Sequence, residues 1–199
     1  MLSCSAIAME VRQPVQLLRA FELMRTGILI SLIGWILLGL GLASKFFGIL
    51  TFLIGGFLTA AAGLMLLIVG AIVILLGFYA KFIPGVSELA RADASYSIAS
   101  KLVRVGYVWG LVLIIVGAVL SLLLLGIPIF FLGILFLIVG FIGIVLLSFN
   151  LYSRERNTLY FVAAILFIVS IFVPVMGFLA WILLYAALGK TIKSYSAQR

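Results

Sequence analysis

The 199-residue sequence contains no histidine and a single cysteine, Cys4. Zinc, copper, haem and iron–sulfur centres draw on His and Cys ligands, so these residues argue against every one of them. Triads and dyads that need a histidine base are excluded outright. Cys4 has no partner for an internal disulfide and says nothing about redox compartment. Charge is scarce as well. Only 9% of residues are charged and five are acidic, while 67% are apolar. A soluble domain carries roughly 25% charged residues, and a soluble fold of this size has no way to hide so much apolar surface. The composition excludes a water-soluble globular protein, a disordered chain and a disulfide scaffold. It leaves an integral membrane protein.

The first four residues, Met1-Leu2-Ser3-Cys4, echo a lipoprotein cleavage box. They lack the charged n-region and apolar h-region of a secretion signal. Residues 1–8 fit neither a tail nor a signal, which makes Met9 an alternative start.

Four long runs are free of charge: 26–44, 46–80, 105–153 and 157–189. A hydrocarbon core ~30 Å thick takes ~20 helical residues. The first run is one span. The third would extend ~73 Å as a single helix, so it folds back, and Gly126-Ile127-Pro128 is the strong breaker near its middle. Helices are expected at about 102–125 and 129–151. The fourth run is also too long for one span within the ordinary tilt range of roughly 0–40°. A turn at Val173-Pro174-Val175-Met176-Gly177 divides it into two short spans. In the second run, 46–55 reads as an apolar loop or a tilted helix start, followed by one span at about 56–80. The expected fold is an all-α membrane protein with six transmembrane helices in three tandem hairpins. A short amphipathic helix over residues 14–25, opened by Pro14, precedes them and lies on the inner leaflet. Residues 1–25 form this tail and interfacial helix. Residues 26–199 form the membrane domain, with an inner loop at 81–104.

Six spans with the N-terminus inside place twelve of the thirteen basic residues on one side, with Lys45 alone opposite. The positive-inside rule makes that side cytoplasmic. Both termini are then cytoplasmic in a multi-pass protein of the plasma membrane. Arg12, Arg19, Arg25, Lys81, Arg104, Arg154, Arg156, Lys190 and Lys193 are the candidates for contact with anionic lipid headgroups. Nucleic acid is a poor partner, because these bases are scattered and lack interleaved stacking aromatics. In the inner loop, Phe82-Ile83-Pro84-Gly85 reads as a turn. Ser87 is placed to cap a helix from Glu88, with Glu88 and Arg91 as an i,i+3 pair. Asp93 or Ser95 caps the lead-in to the third span.

Glycine recurs at steps of seven: Gly27, Gly34 and Gly41; Gly56, Gly63, Gly70 and Gly77; Gly110 and Gly117; Gly133 and Gly140. A seven-residue step keeps one stripe facing one neighbour at a crossing of ~20°, and glycine lets the backbones approach. These eleven are the candidate helix-packing residues. A glycine-lined pore or a lipid groove is the other use of such a stripe. Hairpin repeats are marked by Arg25-Thr26-Gly27 against Arg104-Val105-Gly106, and by Leu67-Ile68-Val69-Gly70 against Leu137-Ile138-Val139-Gly140. No ionisable side chain lies inside a span, which argues against a pump, an ion-coupled transporter or an intramembrane acid–base enzyme. Asn150 reads as a cap or an interhelical hydrogen-bond donor.

The stretch from Leu23-Met24-Arg25-Thr26-Gly27 through Leu67-Ile68-Val69-Gly70 to Leu183-Leu184-Tyr185-Ala186-Ala187-Leu188-Gly189-Lys190 resembles an uncharacterised archaeal family of small multi-span membrane proteins, a domain of unknown function. The resemblance covers most of residues 23–192. It implies an archaeal plasma membrane and brings no catalytic residues. Two asparagines and three glutamines agree with a thermophilic source. The functional expectation is a non-enzymatic protein without cofactor or metal. It acts as an accessory or scaffold subunit of a membrane complex, with other membrane subunits or itself as partner, or as a small homo-oligomer. The alternative is a transporter or channel for a small neutral or lipid-like solute.

Overall fold

The computed structural model describes residues 3–50, 56–121 and 126–197, with side chains from Val15 onward apart from 49, 50, 57, 58 and 60. The described residues form helices α1 (Ser3–Leu50), α2 (Phe57–Gly77), α3 (Ile83–Ala92), α4 (Ser97–Leu120), α5 (Gly126–Glu155), α6 (Thr158–Val169) and α7 (Pro174–Ala197). Short π and 3-10 segments at Phe78–Phe82 and Ala94–Tyr96 join α2 to α3 and α3 to α4. Five stretches are long and apolar enough to cross a membrane: Val15–Gly48, Ala61–Ala92, Ala94–Leu120, Gly126–Glu155 and Pro174–Ala197. The chain is therefore an all-helical protein with multi-pass membrane character. It divides into two compact units, Leu23–Pro84 and Met1–Glu22 with Gly85–Arg199.

Several sequence expectations change here. The amphipathic segment at 14–25 is not a separate helix, because α1 runs unbroken from Ser3 to Leu50. No glycine pair or strong turn residue interrupts the backbone between Pro14 and Ser44, so the amphipathic face passes directly into the apolar span. Residues 46–50 are neither a loop nor the start of the second span but the last residues of α1, while 51–55 lies outside the described residues. The inner loop at 81–104 is helical apart from Asp93. Phe82-Ile83-Pro84-Gly85 is no turn. Pro84 lacks an N–H, and its ring would meet the carbonyl four residues back in an α-helix. The chain answers with one π-helical widening, in which the Ile83 N–H donates to the Phe78 carbonyl, and the helix continues. Ser87 consequently sits inside α3 and not at its start. Asp93 does cap: it is extended, at φ −142°, and its Oδ1 accepts the Ser95 N–H at 2.9 Å.

Prolines expected to make turns start helices instead. Pro128 lies in the first turn of α5 and Pro174 is the first residue of α7, positions where a missing N–H costs nothing. Between α6 and α7 the chain reverses over Ser170–Val173, where all four N–H groups are bonded to carbonyls of α6 at 2.9–3.2 Å. With 12 residues, α6 reaches only ~18 Å, short of the ~30 Å core.

In the Leu23–Pro84 unit, α1 and α2 form an antiparallel hairpin. In the other unit α4 packs along α5, α5 against α6, and α6 against α7. Apolar side chains are buried near the basic ends: Val103, Ile144, Leu147 and Leu151 on α4 and α5, Tyr160, Ala163 and Ala164 on α6, Leu184 and Leu188 on α7. Farther along α4 and α5, the buried residues are Gly110, Gly117, Gly126, Gly133 and Gly140.

Candidate functional site

The geometry places two constellations: glycine ladders inside the hairpins and a polar layer at the basic ends. In the α1–α2 hairpin, glycine meets glycine. A Cβ built on Gly70 would lie 2.9 Å from both the Gly34 carbonyl oxygen and the Leu38 nitrogen. One on Gly34 would lie 2.8 Å from the Gly70 oxygen and the Ile74 nitrogen. Gly41 and Gly63 repeat the pattern at 2.9 Å, against Leu67 and Lys45. Each glycine thus sits on the helical hydrogen bond between its partner glycine and the residue four farther on. Gly27 departs by one residue. Its Cβ would meet the Gly77 oxygen at 2.7 Å and the Phe82 nitrogen at 2.6 Å, five positions apart, because the π widening lies there.

The α4–α5 hairpin uses the same arrangement. Gly133 faces the Gly110 oxygen and the Ile114 nitrogen at 3.0 and 2.8 Å, and Gly126 faces Gly117 and Ser121. Gly140 faces Tyr107. Gly56 is buried at the N-terminus of α2, where its carbonyl accepts the Thr59 hydroxyl at 2.8 Å. The seven-step rule missed Gly106 and Gly143, which also meet the facing helix at Gly140 and at Val103. An i,i+3 small-residue pairing of Gly140 with Gly143 would have shown the second. Gly39, off the stripe, has nothing within 4 Å of its Cβ position. The proposed repeat does not hold in register: Gly70 packs on Gly34, seven residues after Gly27, whereas Gly140 packs on Tyr107 and Gly106, and Gly106 is the counterpart of Gly27 itself.

The polar layer joins segments far apart in sequence. The Tyr160 and Thr191 hydroxyls, both buried, hydrogen-bond at 2.9 Å. The Tyr195 hydroxyl donates to Glu155 Oε1 at 3.1 Å, and the Tyr195 ring lies 6.0 Å from that of Phe21. Asn157 caps α6 through the Leu159 N–H and donates to the Ala187 carbonyl at 3.4 Å. Asn150 Nδ2 donates to the Ser95 carbonyl at 3.3 Å, an interhelical bond. Sequence alone had no signal for the tyrosine pairs, since their partners lie 31 and 40 residues away.

The basic residues divide. Lys81, Arg104, Arg156, Lys190 and Lys193 are exposed. Arg154 is exposed and pairs with Asp93 at 3.4 Å. Bonding from Ser95, supported by Arg154, holds the Asp93 carboxyl below the usual carboxylate range. Arg19 pairs with Glu88 at 3.8 Å, so Glu88 turns toward α1 and not solely toward Arg91. Arg25 is half-buried, with Nε shielded from solvent. The Arg12 side chain lies outside the described residues. Arg156 adopts φ 50°, closing the two-residue turn between α5 and α6. Among the described residues no three His, Cys, Asp or Glu gather as metal ligands. Comparison with known proteins finds no match, whether to a family model, a curated protein or a solved structure.

Proposed function

We propose that this chain is a non-enzymatic polytopic membrane protein that acts as an accessory or scaffold subunit or as a small homo-oligomer. The carrying observation is the contrast between the inside and outside of each hairpin. The glycine stripes among the described residues meet the facing helix at 2.6–3.1 Å over most of their length, which supports a packing use of the stripe over a solute groove. The opposite faces expose aliphatic side chains in series, such as Met65, Ile68, Val69, Ile72 and Leu76 on α2. Those faces suit lipid or neighbouring subunits.

The proposal includes six helices entering an archaeal plasma membrane from a cytoplasmic basic end that touches anionic lipid. The third hairpin reaches only part of the way across. Its reversal at Ser170–Val173 satisfies its own N–H groups, as hydrocarbon demands. Because α6 and α7 are antiparallel, the C-terminus returns to the side of Arg154 and Arg156 whatever depth the turn attains. Solubilisation in mild detergent followed by mass determination tests the assembly. Co-elution with membrane partners, or a defined multimer, is the expected result. A lone monomer that moves a neutral solute across liposomes would overturn it in favour of transport.

A further inference from the structure

We propose that Gln16, Arg19, Glu88 and Arg91 form a seat for a phosphate oxyanion, the group a lipid headgroup and free phosphate share. The inference rests on the proposed contact between the basic end and anionic lipid, and it gives that contact one defined place. These four residues line a pocket of about 190 Å³, several times the ~30 Å³ share of a water molecule. Two come from α1 and two from α3, within the same compact unit. Gln16 and Arg19, like Glu88 and Arg91, are three residues apart on their helices, so each pair shares a face. The pocket therefore gathers two guanidinium groups and an amide around a single carboxylate, an excess of one positive charge.

The existing pair is a weak competitor for the ligand. Arg19 Nε stands 3.8 Å from Glu88 Oε2, beyond hydrogen-bond length and without the two-point fork that makes Arg–carboxylate pairs strong. The Arg19 side chain is 75% exposed, so it swings to a new partner without breaking a packed contact. Guanidinium groups match tetrahedral oxyanions better than ammonium groups do. The setting also suits a lipid phosphate. The charge-free runs 26–44 and 46–80 stop short of all four residues, which sit among charged neighbours as a site at headgroup depth requires.

The test uses the full chain in mild detergent, titrated with short-chain phosphatidylglycerol, phosphatidylcholine or inorganic phosphate, with bound molecules counted by native mass spectrometry. Wild type is expected to retain phosphatidylglycerol over phosphatidylcholine. Arg91→Gln should weaken the tightest site about tenfold, the loss of one charge-assisted hydrogen bond. Glu88→Gln should tighten it several-fold, because the competing carboxylate is gone; a purely structural Glu88 would give no gain. Lys101→Gln, an exposed residue on α4, should leave that site unchanged. Competition by inorganic phosphate at equal affinity assigns the seat to the free anion, and resistance to it assigns the seat to the headgroup. If Arg91→Gln and Glu88→Gln both bind as wild type while the preference for phosphatidylglycerol persists, the pocket is refuted and the general lipid contact stands. If wild type shows no such preference and phosphate does not bind, both fall.

Discussion

Replacing Gly70 with alanine adds one methyl group, and the structure dictates a sign for its effect. The new Cβ would sit 2.9 Å from the Gly34 oxygen and the Leu38 nitrogen, and 3.1 Å from Leu38 Cγ. The first two are backbone atoms in a regular helix, so no rotamer change relieves them and α1 and α2 must separate. A gap of 0.5–1 Å forfeits roughly a quarter to a half of each dispersion contact it opens, and overpacking of tight cores costs about 1–3 kcal/mol. Alanine returns about 0.8–1 kcal/mol of helix propensity. The net is a loss of up to about 2 kcal/mol. Gly39→Ala gains the same propensity with nothing within 4 Å of its Cβ, so it should stabilise by up to about 1 kcal/mol. Gly70→Leu should exceed Gly70→Ala in damage, whereas Ile72→Leu, on an exposed site, should change little. Unfolding of each variant in mixed detergent, followed by circular dichroism, gives the ranking. Equal shifts for Gly39→Ala and Gly70→Ala would refute the ladder as a packing device.

Tyr160→Phe leaves the buried Thr191 hydroxyl without its partner and should cost about 1–2 kcal/mol. In a double-mutant cycle with Thr191→Val, detergent unfolding should show coupling, and simple additivity would count against the bond. Arg156→Gly should stabilise the α5–α6 turn by about 1 kcal/mol, since a left-handed φ of 50° penalises a side chain, again read by unfolding midpoint. The lowered pKa of Asp93 means that its contribution is complete above the ordinary carboxylate pKa and is lost as pH falls through the lowered value. Asp93→Asn should therefore flatten the acid limb of a stability–pH profile, and an unchanged limb would dismiss the Asp93 cap and its pairing with Arg154. Ser196→Cys should resist an impermeant thiol reagent applied outside intact cells, and efficient labelling would place the C-terminus outside.

The hairpins show how far a local reading reaches. Gly27, Gly34, Gly41, Gly63, Gly70 and Gly77 were visible as a stripe because the period that sets packing is written in the sequence itself. Their pairing was not, since Gly34 meeting Gly70 depends on where the chain reverses. The turn at Pro174 was placed a few residues late, and Pro128 was read as a breaker although it lies in the first turn of α5. Proline forbids a preceding hydrogen-bond pattern, and that permits it to open a helix as readily as to end one. Pro84 misled more strongly, because a single π widening absorbs its ring without a break, and no residue type announces that option.

Membrane character was settled by composition, because 67% apolar residues leave too little polar surface to face water, whatever the arrangement. The candidate stripe residues followed from a seven-residue period that any helix must present on one side. Tertiary structure alone decided what those stripes touch, and it closed them on backbone so that the aliphatic faces turn outward. It also decided the polar layer. Tyr160 with Thr191, and Tyr195 with Glu155, are separated by 31 and 40 residues. A hydrogen bond acts over about 3 Å and leaves no periodic trace along the chain, so only the fold brings such partners together.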